Sequence, residues 1–364
     1  MNASVGQILD RDRPHPIATV GPNDFAVSSH RPIQAQKLFD ADFEPYCFDP
    51  ESREVLLVRC DDPEAVEAAP FYYQAQAEGA VELARIPFDE FCSLAKPAEI
   101  GGRLILIHST GRCGSTLVSK ALQAVTAVRS LSEPDELTQL AKLWVNAQLS
   151  DEDTSRLLRA TCQWRGRRAE GKLALKFRAE VCVLADFFAA EFPKARHVFL
   201  YRDATSWMQS IFNGWPESRS LYDAEGNRKM EEGWARTLPI VREYIREDAP
   251  MNPVQVRTLA WISCMESYFH LLGRVPITAI RFEDLTAQPL PTLRELFAFC
   301  GIDAVDWEAI NQVLAKDSQA GTIYDREARK KLARPMPPEN IQDVLQLVAS
   351  RQKLKVPDIV LPSS

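Results

Sequence analysis

The sequence predicts an α/β protein in three layers, with a mainly parallel central sheet flanked by helices and a small β-containing module at the N-terminus. Three observations support this fold class. From residue 104 onwards, short apolar runs alternate with amphipathic segments, which is the pattern of β-α-β units. Before residue 61, two short apolar runs flank a turn-forming stretch. A glycine-rich loop follows the first apolar run of the alternating region.

Individual elements follow from the same patterns. The apolar runs predict strands at 104–107, 173–177, 198–201 and 277–282. The amphipathic segments predict helices at 115–125, 135–148, 180–191, 204–213, 255–272, 291–300 and 306–315. Ligands of parallel sheets bind at the carboxyl ends of the strands, so we expect the site there. Residues 214–254 are the longest weakly patterned stretch and are predicted to form a lid or substrate loop.

The N-terminal region divides into an irregular arm and a hairpin. Residues 1–35 are rich in Pro, Ser and His and show little periodicity, which predicts the arm. Residues 45–48 and 54–59 flank a turn and predict two antiparallel strands. Residues 97–102 are a natural linker. We therefore expect an N-terminal arm and module over residues 1–97 and a main domain over residues 98–364.

Composition limits the possible partners. The net charge of −7 is uneven, because residues 1–100 hold 18 acidic and 8 basic side chains, a charge of −10, which leaves +3 for the rest. A mildly basic main domain suits a small anionic ligand and lacks the strongly basic face that nucleic acid requires. No apolar run approaches the roughly 18 residues of a membrane span. The eight cysteines form no Cys-x-x-Cys pair, which predicts free thiols, no metal centre and a cytoplasmic protein. The sequence does not determine whether the protein forms a homo-oligomer.

The glycine-rich loop is the most informative motif. Residues 103–118 read RLILIHSTGRCGSTLV, so Ser115 and Thr116 follow Gly114 directly and the cation Arg112 precedes it. Gly111 and Gly114 allow the backbone to approach an anion closely. Nucleoside triphosphatases place Gly-Lys-Ser/Thr at this point, and the lysine is missing here. The motif therefore predicts a P-loop-type fold with a phosphate site of a different kind.

A second motif joins a strand end to a helix. Arg202 follows the apolar run 198–201, and Ser210 comes eight residues later. Together they could clamp one phosphate group. The alternative is a surface arginine paired with Asp203 and a solvated serine.

These motifs resemble those of sulfotransferases that use 3′-phosphoadenosine 5′-phosphosulfate (PAPS). In that family the first loop holds the 5′-phosphosulfate and matches Arg112, Cys113, Gly114, Ser115 and Thr116. The Arg and Ser that hold the 3′-phosphate match Arg202 and Ser210. Residues 280–289, IRFEDLTAQP, are similar to a third family segment, and the helix that follows is similar as well. The resemblance spans residues 103–302 and implies PAPS as donor, PAP as product and a small-molecule acceptor.

The chain departs from the family pattern at several positions. Cys113 stands where Ser is usual, Leu117 where cytosolic members often carry Trp, and Phe282 where Tyr is common. By the resemblance, Leu117 still corresponds to a cofactor-binding position of the family. The basic C-terminal cofactor loop of the cytosolic enzymes has no clear match. Its candidate replacements are residues 317–322 and the basic side chains Arg326, Arg329 and Lys330.

The resemblance also suggests catalytic groups. Arg112 and Lys176, the latter at a predicted strand end, would stabilise the charge of the transferring group without a metal ion. Many cytosolic members have a His base two residues after that lysine, but Arg178 stands here. Protein-tyrosine and some carbohydrate sulfotransferases use a Glu about twenty residues after the loop cation, which matches Glu133.

Each of these assignments has an alternative. Lys176 could be a surface lysine, and Glu133 could serve only the start of a helix, with Ser132 as cap. His108 is a second candidate base, although a His that ends a buried strand is more often structural. The basic run from Arg156 to Lys172 predicts a solvated helix face, and the aromatic side chains of residues 261, 268 and 269 predict core.

Two other function classes stay open on the sequence. One is an ATP-dependent P-loop phosphotransferase, which the missing Gly-Lys pair disfavours. The other is a non-catalytic nucleotide-binding protein whose acidic N-terminal module is the functional part. The leading prediction is sulfuryl transfer from PAPS to a hydroxyl or amine of a small molecule, in line and without a metal ion, with Glu133 as base.

Overall fold

The N-terminal region forms one antiparallel sheet. The computed structural model describes residues 3–95, 100–214, 223–316, 333–354 and 359–362. The first six strands are β1 (Ala3–Arg11), β2 (Phe25–Val27), β3 (Arg31–Ile33), β4 (Glu44–Asp49), β5 (Glu54–Cys60) and β6 (Ala80–Pro87). They pair in the order β2-β1-β6-β5-β4, with β3 also on β1. Four helices accompany them: α1 (Ala35–Asp40), α2 (Pro63–Ala68), α3 (Tyr72–Gly79) and α4 (Phe88–Leu94).

The predicted hairpin is confirmed as β4 and β5, which pair antiparallel. The predicted irregular arm is wrong, because residues 3–11, 25–27 and 31–33 are strands. Strand β1 pairs with β6, and this ladder joins residues 4–7 to residues 82–85. Because its partner lies nearly eighty residues away, the local sequence carries little sign of it.

The central sheet is entirely parallel. Its strands are β7 (Leu104–Ser109), β8 (Val128–Ser132), β9 (Lys172–Lys176), β10 (Arg196–Tyr201) and β11 (Ile277–Arg281), in the order β11-β10-β7-β9-β8. Four of the five strands were predicted. The fifth, β8, reads VRSLS and has only two apolar residues, so its sequence lacks the apolar run that identifies the others.

Helices cover both faces of this sheet. They are α5 (Ser115–Gln123), α6 (Glu136–Val145), α7 (Asp151–Gly166), α8 (Ala185–Glu191), α9 (Ala204–Gly214), α10 (Ala224–Ala235), α11 (Pro253–Leu271), α12 (Phe282–Ala287), α13 (Pro289–Phe299), α14 (Trp307–Ala315) and α15 (Pro338–Ala349). Short 3₁₀ turns lie at Gly101–Arg103, Ala179–Leu184 and Pro239–Tyr244. The predicted helix 180–191 is therefore split into a 3₁₀ turn and α8. Among the described residues, no helix is long and apolar enough to cross a membrane.

Strand β7 shows how the three layers are joined. Its consecutive side chains point to opposite faces of the sheet. Leu104 and Leu106 belong to an apolar cluster that runs from Ala3 to Ala195 and includes the N-terminal sheet. Ile105 and Ile107 pack on the other face with residues of α5 and α13. The predicted three-layer α/β fold is thus confirmed. Trp261 and Tyr268 lie fully buried in a third cluster, as predicted.

A buried ion network connects the N-terminal sheet to the main sheet. Arg165 on α7 is fully buried and donates hydrogen bonds to Glu136 (3.0 Å), to Glu44 on β4 (3.1 Å) and to the Tyr72 hydroxyl on α3 (2.5 Å). The prediction of a solvated basic face over this region is wrong for Arg165. Its charge has a structural use that the sequence does not reveal, because its partners lie about thirty to 120 residues away.

The two carboxylates of the network respond differently to burial. Burial favours the neutral form of Glu44, but the guanidinium groups of Arg129, Arg167 and Arg165 outweigh this effect and lower its pKa to about 2. Burial raises the pKa of Glu136 to about 7, with Arg165 opposing it. Glu44 is therefore the ionised centre of the network at neutral pH.

Replacing Arg165 with methionine should destabilise the protein strongly. The apolar side chain fills similar space but leaves two buried carboxylates short of a partner. We expect the free energy of unfolding to fall by about 3–5 kcal/mol, measured by urea denaturation at neutral pH. The matched control is Arg159→Met on the same helix, whose ion pair with Glu191 is half exposed and should contribute less than about 1 kcal/mol. Equal losses in the two variants would contradict the network's importance.

The network also makes stability depend on pH. The pKa of Glu44 is lower in the folded chain than in the unfolded chain, so its contribution is present at neutral pH and is lost as the pH falls. Glu44→Gln lacks this contribution at every pH. We expect the stability difference between wild type and Glu44→Gln to narrow by about 2 kcal/mol between about pH 6 and pH 3. A constant difference over this range would contradict the low pKa.

Candidate functional site

The loop between β7 and α5 has the backbone of an anion cradle. Gly111, Arg112 and Gly114 all adopt left-handed conformations, with φ of 72°, 53° and 80°. Such turns point successive N–H groups toward one side of the loop. A Cβ atom on Gly114 would lie 2.9 Å from Cδ2 of Leu285 on α12. Glycine is therefore required there both for the conformation and for the close approach of α12.

The N-terminus of α5 faces the same side as the loop. Gly114 is its N-cap residue, and no described side chain caps the helix. The first N–H groups of a helix have no partner within it and carry the positive end of its dipole, so they attract anions. Ser115 and Thr116 stand at this end and line the adjoining cavity, as the loop motif predicts.

Trp207 on α9 fixes the loop from outside. Its indole Nε1 donates to the carbonyl oxygens of Thr110 (2.9 Å) and Gly111 (3.0 Å). Its ring is almost fully buried and lines the cavity. The sequence analysis did not single out Trp207. Its position between Arg202 and Ser210 in the second motif is the only signal that could have drawn attention to it.

Two of the predicted cofactor-binding positions turn away from the cradle. The side chain of Cys113 is fully buried in the core, where Sγ donates to the Leu200 carbonyl at 3.3 Å. Burial raises the pKa of this thiol. Leu117 is partly exposed on α5 and is not among the residues that line the cavity. At position 113 only the backbone remains available to a ligand.

The structure brings the first and second motifs into contact. Arg112 Nε donates to the Ser210 hydroxyl at 3.3 Å. Arg202 Nε donates to the Ser206 hydroxyl at 2.8 Å, and its guanidinium lies 4.4 Å from the centre of the Phe282 ring. Arg202 Nε also lies 3.9 Å from Oε1 of Glu283 on α12.

The third segment, residues 280–289, holds the two motifs together. It begins at the end of β11 and forms α12. Phe282 lies under Arg202, while Leu285 packs against Gly114. Aromatic contact with Arg202 needs no phenolic hydroxyl, so the Phe in place of Tyr keeps this packing.

Glu133 and Lys176 form an ion pair at the carboxyl ends of neighbouring strands. Lys176 ends β9, and Glu133 follows β8 directly. The Glu133 N–H donates to the Lys176 carbonyl at 2.7 Å, and Lys176 Nζ contacts Glu133 Oε1. Only 3% of the Lys176 side chain is exposed, so the surface-lysine alternative is wrong.

The helix-start alternative for Glu133 is also wrong. Helix α6 begins at Glu136 with Asp135 as N-cap, and the Glu133 backbone is left-handed, with φ of 65°. The proposed cap, Ser132, instead donates its hydroxyl to the Pro70 carbonyl at 2.8 Å. Glu133 thus points its carboxylate at Lys176 and into the cavity.

His108, the second candidate base, lies in the core. Its Nε2 is 3.1 Å from Nδ1 of His197, and the two rings stack with centres 5.3 Å apart. Burial, with a smaller effect of His197, holds the pKa of His108 well below its usual value. His108 is not one of the residues that line the cavity. Its position favours the structural role.

These groups surround a cavity of about 590 Å³ at the carboxyl ends of β7, β8 and β9, where the sequence places the site. One wall consists of the loop, Glu133 and Lys176. The stretch predicted as a lid or substrate loop contains helix α10 and a 3₁₀ turn, so the loop prediction is wrong for these residues. It supplies Trp234 and Leu238 to the cavity, and α11 supplies Arg257. The N-terminal region contributes His15, Ile17, Ala18, Phe71 and Tyr73. The candidate C-terminal cofactor residues 317–322, Arg326, Arg329 and Lys330 lie outside the described residues.

A second ion pair lies directly behind the first. Arg178, two residues after Lys176, contacts Asp135, two residues after Glu133, at 3.1 Å. Burial would lower the pKa of Arg178, but Asp135 and Glu180 raise it above its usual value. Burial raises the pKa of Asp135, with Arg178 opposing it. From the sequence, Arg178 is recognisable only as the residue that replaces a family histidine, and its pairing with Asp135 is not predicted.

Comparison with known proteins agrees with the geometry. A family model described as "Sulfotransferase family" matches residues 105–308, more than half of the chain. No curated protein matches the sequence.

Several solved structures are similar. One is the sulfotransferase domain from the curacin biosynthetic pathway, at 15% identity over 68% of this chain and 97% of that chain, with a TM-score of 0.39. Sulfotransferase STF9 from Mycobacterium avium has 12% identity over 71% and 78%, with a TM-score of 0.40. Mouse sulfotransferase SULT7A1, complexed with PAP, has 12% identity over 69% and 85%, with a TM-score of 0.39. The loop motif lines the cavity, whereas Arg202, Ser210 and residues 280–289 are not among the lining residues and instead lie against or near the loop. The family match over residues 105–308 shows that the chain belongs to the sulfotransferase family.

Proposed function

We propose that the protein transfers a sulfuryl group from PAPS to a hydroxyl or amine group of a small-molecule acceptor. One observation carries the proposal: the loop at residues 110–116 and the Glu133–Lys176 pair line the same cavity. A group bound by the cradle would therefore lie next to a carboxylate and an ammonium group. Transfer between a bound anion and an acceptor needs that arrangement.

The residues of the cradle suit a phosphosulfate. The left-handed turns at Gly111 and Gly114 and the uncapped start of α5 provide N–H donors for anionic oxygens. Arg112 adds a cation on the same loop. We propose that Arg112, Ser115 and Thr116 bind the 5′-phosphosulfate and that Arg202 and Ser210 bind the 3′-phosphate, as in the family pattern. Cys113 and Gly114 would contribute through the backbone.

When bound, PAPS supplies an activated sulfuryl group on a phosphate leaving group. Lys176 and Arg112 would stabilise the negative charge that grows on the leaving oxygen, because both cations face the cavity from fixed strand and loop positions. Lys176 is held by one carboxylate oxygen of Glu133, Oε1, and so cannot swing away from the cavity freely. This arrangement stabilises charge with protein cations alone.

Glu133 would accept the proton of the acceptor group. Its pair with Lys176 uses Oε1, and Oε2 is not part of that contact. The hydrogen bond from its N–H to the Lys176 carbonyl fixes the backbone, so the carboxylate has a defined direction. As the acceptor oxygen or nitrogen bonds to sulfur, its proton passes to this carboxylate and the bond from sulfur to the phosphate oxygen breaks.

Binding of the product nucleotide tests the donor assignment. We expect PAP to bind with micromolar affinity by calorimetry, unchanged by Mg²⁺, and more tightly than ATP. Arg112→Met and Arg202→Met should each weaken PAP binding about 10–100-fold, because each removes a charged hydrogen-bond donor to phosphate. Arg159→Met on α7 serves as the control and should bind PAP normally.

Two other outcomes would each favour a different function. Metal-dependent ATP binding that is tighter than PAP binding would favour a phosphotransferase. Tight PAP binding with no sulfated product from PAPS and a broad panel of alcohols and amines, followed by mass spectrometry, would favour a non-catalytic nucleotide-binding protein.

Substitution of Glu133 tests the base. Glu133→Gln keeps the size of the side chain but cannot accept a proton, so we expect turnover of PAPS to fall about 10²–10⁴-fold. PAP affinity should change little, because the cradle is intact. The control is Glu152→Gln, an exposed glutamate on α7. Full turnover by Glu133→Gln would remove Glu133 from the mechanism.

A further inference from the structure

One wall of the cavity comes from outside the part of the chain that the family model matches. Residues 105–308 match the family, whereas Ile17, Ala18, Phe71 and Tyr73 belong to the N-terminal region. Ile17 and Ala18 lie on the connection between β1 and β2, and Phe71 and Tyr73 lie at the start of α3. We call these four residues the N-terminal wall; the exposed His15, on the same connection as Ile17 and Ala18, lines the cavity as well. It faces the same cavity as Glu133 and Lys176.

The N-terminal wall is attached to the main domain through the ion pair behind the catalytic candidates. Arg178 donates to the Ile17 carbonyl from both Nη1 and Nη2 at 3.3 Å. Asp135 accepts a hydrogen bond from the Val20 N–H at 3.0 Å. The Arg178 guanidinium also lies 5.2 Å from the centre of the Tyr73 ring.

This attachment fixes the position of the N-terminal wall relative to Glu133 and Lys176. Asp135 and Arg178 are each only two residues beyond a catalytic candidate, on the same two strand ends. Lys142 on α6 adds a further bond to the Thr19 hydroxyl, at 2.5 Å. Hydrogen bonds therefore join the connection between β1 and β2 to the carboxyl ends of β8 and β9. A ligand that lies between them meets preformed surfaces on both sides.

The chemistry of the N-terminal wall is apolar. Two aromatic rings and two aliphatic side chains line the cavity, and so do the apolar side chains of Trp234 and Leu238. The polar group in contact with this wall, Arg178, is already bound to Asp135 and to the Ile17 carbonyl, and His15, Glu180 and Arg257 are further polar groups of the cavity. An acceptor with many hydroxyl groups would lose hydrogen bonds to water here without replacing them, which disfavours sugars. An apolar acceptor body loses no hydrogen bonds to water on entering the cavity, and the burial of its apolar surface favours binding.

We infer that the N-terminal wall selects the acceptor, and that the acceptor is an alcohol whose hydroxyl is attached to an apolar, ring-bearing body. This inference rests on the proposed function and adds to it. Asp135 and Arg178 are positioning residues, because they hold the wall against the strand ends that carry Glu133 and Lys176. The acceptor body lies on the wall, and its hydroxyl points toward Glu133.

Binding of two probe alcohols tests the inference. The probes are 2-naphthol and methyl β-glucoside, titrated into the full-length protein with and without saturating PAP and followed by calorimetry. We expect 2-naphthol to bind and the glucoside to bind at least about tenfold more weakly. Equal or tighter binding of the glucoside would overturn the inference, and so would an absence of 2-naphthol binding under both conditions.

Blocking the N-terminal wall should affect the acceptor and not the donor. Ala18 is half-buried at the cavity, so Ala18→Phe adds a ring inside it. We expect 2-naphthol affinity to fall about tenfold or more while PAP affinity stays within about twofold. The matched control is Ala65→Phe on α2, an exposed residue of the same region. Unchanged 2-naphthol binding in Ala18→Phe would overturn the inference.

Two further variants keep the test decisive. If Ala18→Phe fails to fold, Ile17→Ala removes part of the wall and should lower the affinity for 2-naphthol about threefold or more. Arg178→Lys keeps the charge but loses the paired donors to the Ile17 carbonyl, so it should weaken 2-naphthol and leave PAP affinity unchanged. If PAP does not bind the wild-type protein at all, the proposed function fails. The 2-naphthol titration without PAP still shows whether the N-terminal wall binds an apolar alcohol.

Discussion

The contact between Arg165 and its carboxylates is the constraint on which the rest of the structure depends. It ties β4 of the N-terminal sheet to α6 and α7 of the main domain inside a continuous apolar core. A buried arginine without partners would be prohibitively costly, so the two sheets can pack only in the arrangement that supplies them. The same side chain binds the hydroxyl of Tyr72, whose neighbours Phe71 and Tyr73 line the cavity. Packing of the two sheets therefore also positions one side of the site.

Much of the fold could be predicted because it follows from local patterns. Strand β7, the loop after it and α5 have distinct sequence signatures within twenty consecutive residues. The same holds for β10 with α9 and for β11 with α12. What could not be predicted depends on pairing with other strands: β1 pairs with β2, β3 and the distant β6, and β8 is an edge strand with a weak apolar pattern. The buried role of Arg165 is equally invisible, since an arginine on a helix normally predicts exposure.

The site also contains some residues that local sequence patterns predict and others that depend on distant pairing. Arg112, Ser115, Thr116 and Lys176 lie in the cavity because their motifs are local and the carboxyl ends of parallel strands converge. The contact between Glu133 and Lys176 comes from the pairing of β8 with β9, across more than forty residues, so the sequence could suggest each residue but not the pair. Nothing in the sequence pointed to Asp135, Tyr73 or Ile17. Cys113 carries a motif position whose side chain turned out to belong to the core.

The left-handed backbone at Arg112 and Glu133 has a consequence for how the protein can change over evolutionary time. For a residue with a side chain, this conformation costs roughly 1–2 kcal/mol, and glycine adopts it freely. Selection for stability alone would therefore favour glycine at the loop cation, whereas at position 133 the ion pair with the buried Lys176 opposes that change. Arg53 and Ala147 share this conformation away from the site, whereas the side chains of Arg112 and Glu133 are ones that the proposed chemistry needs. A lineage released from selection for activity should accumulate glycine at position 112 early, while Glu133 and the glycines at 111 and 114 persist.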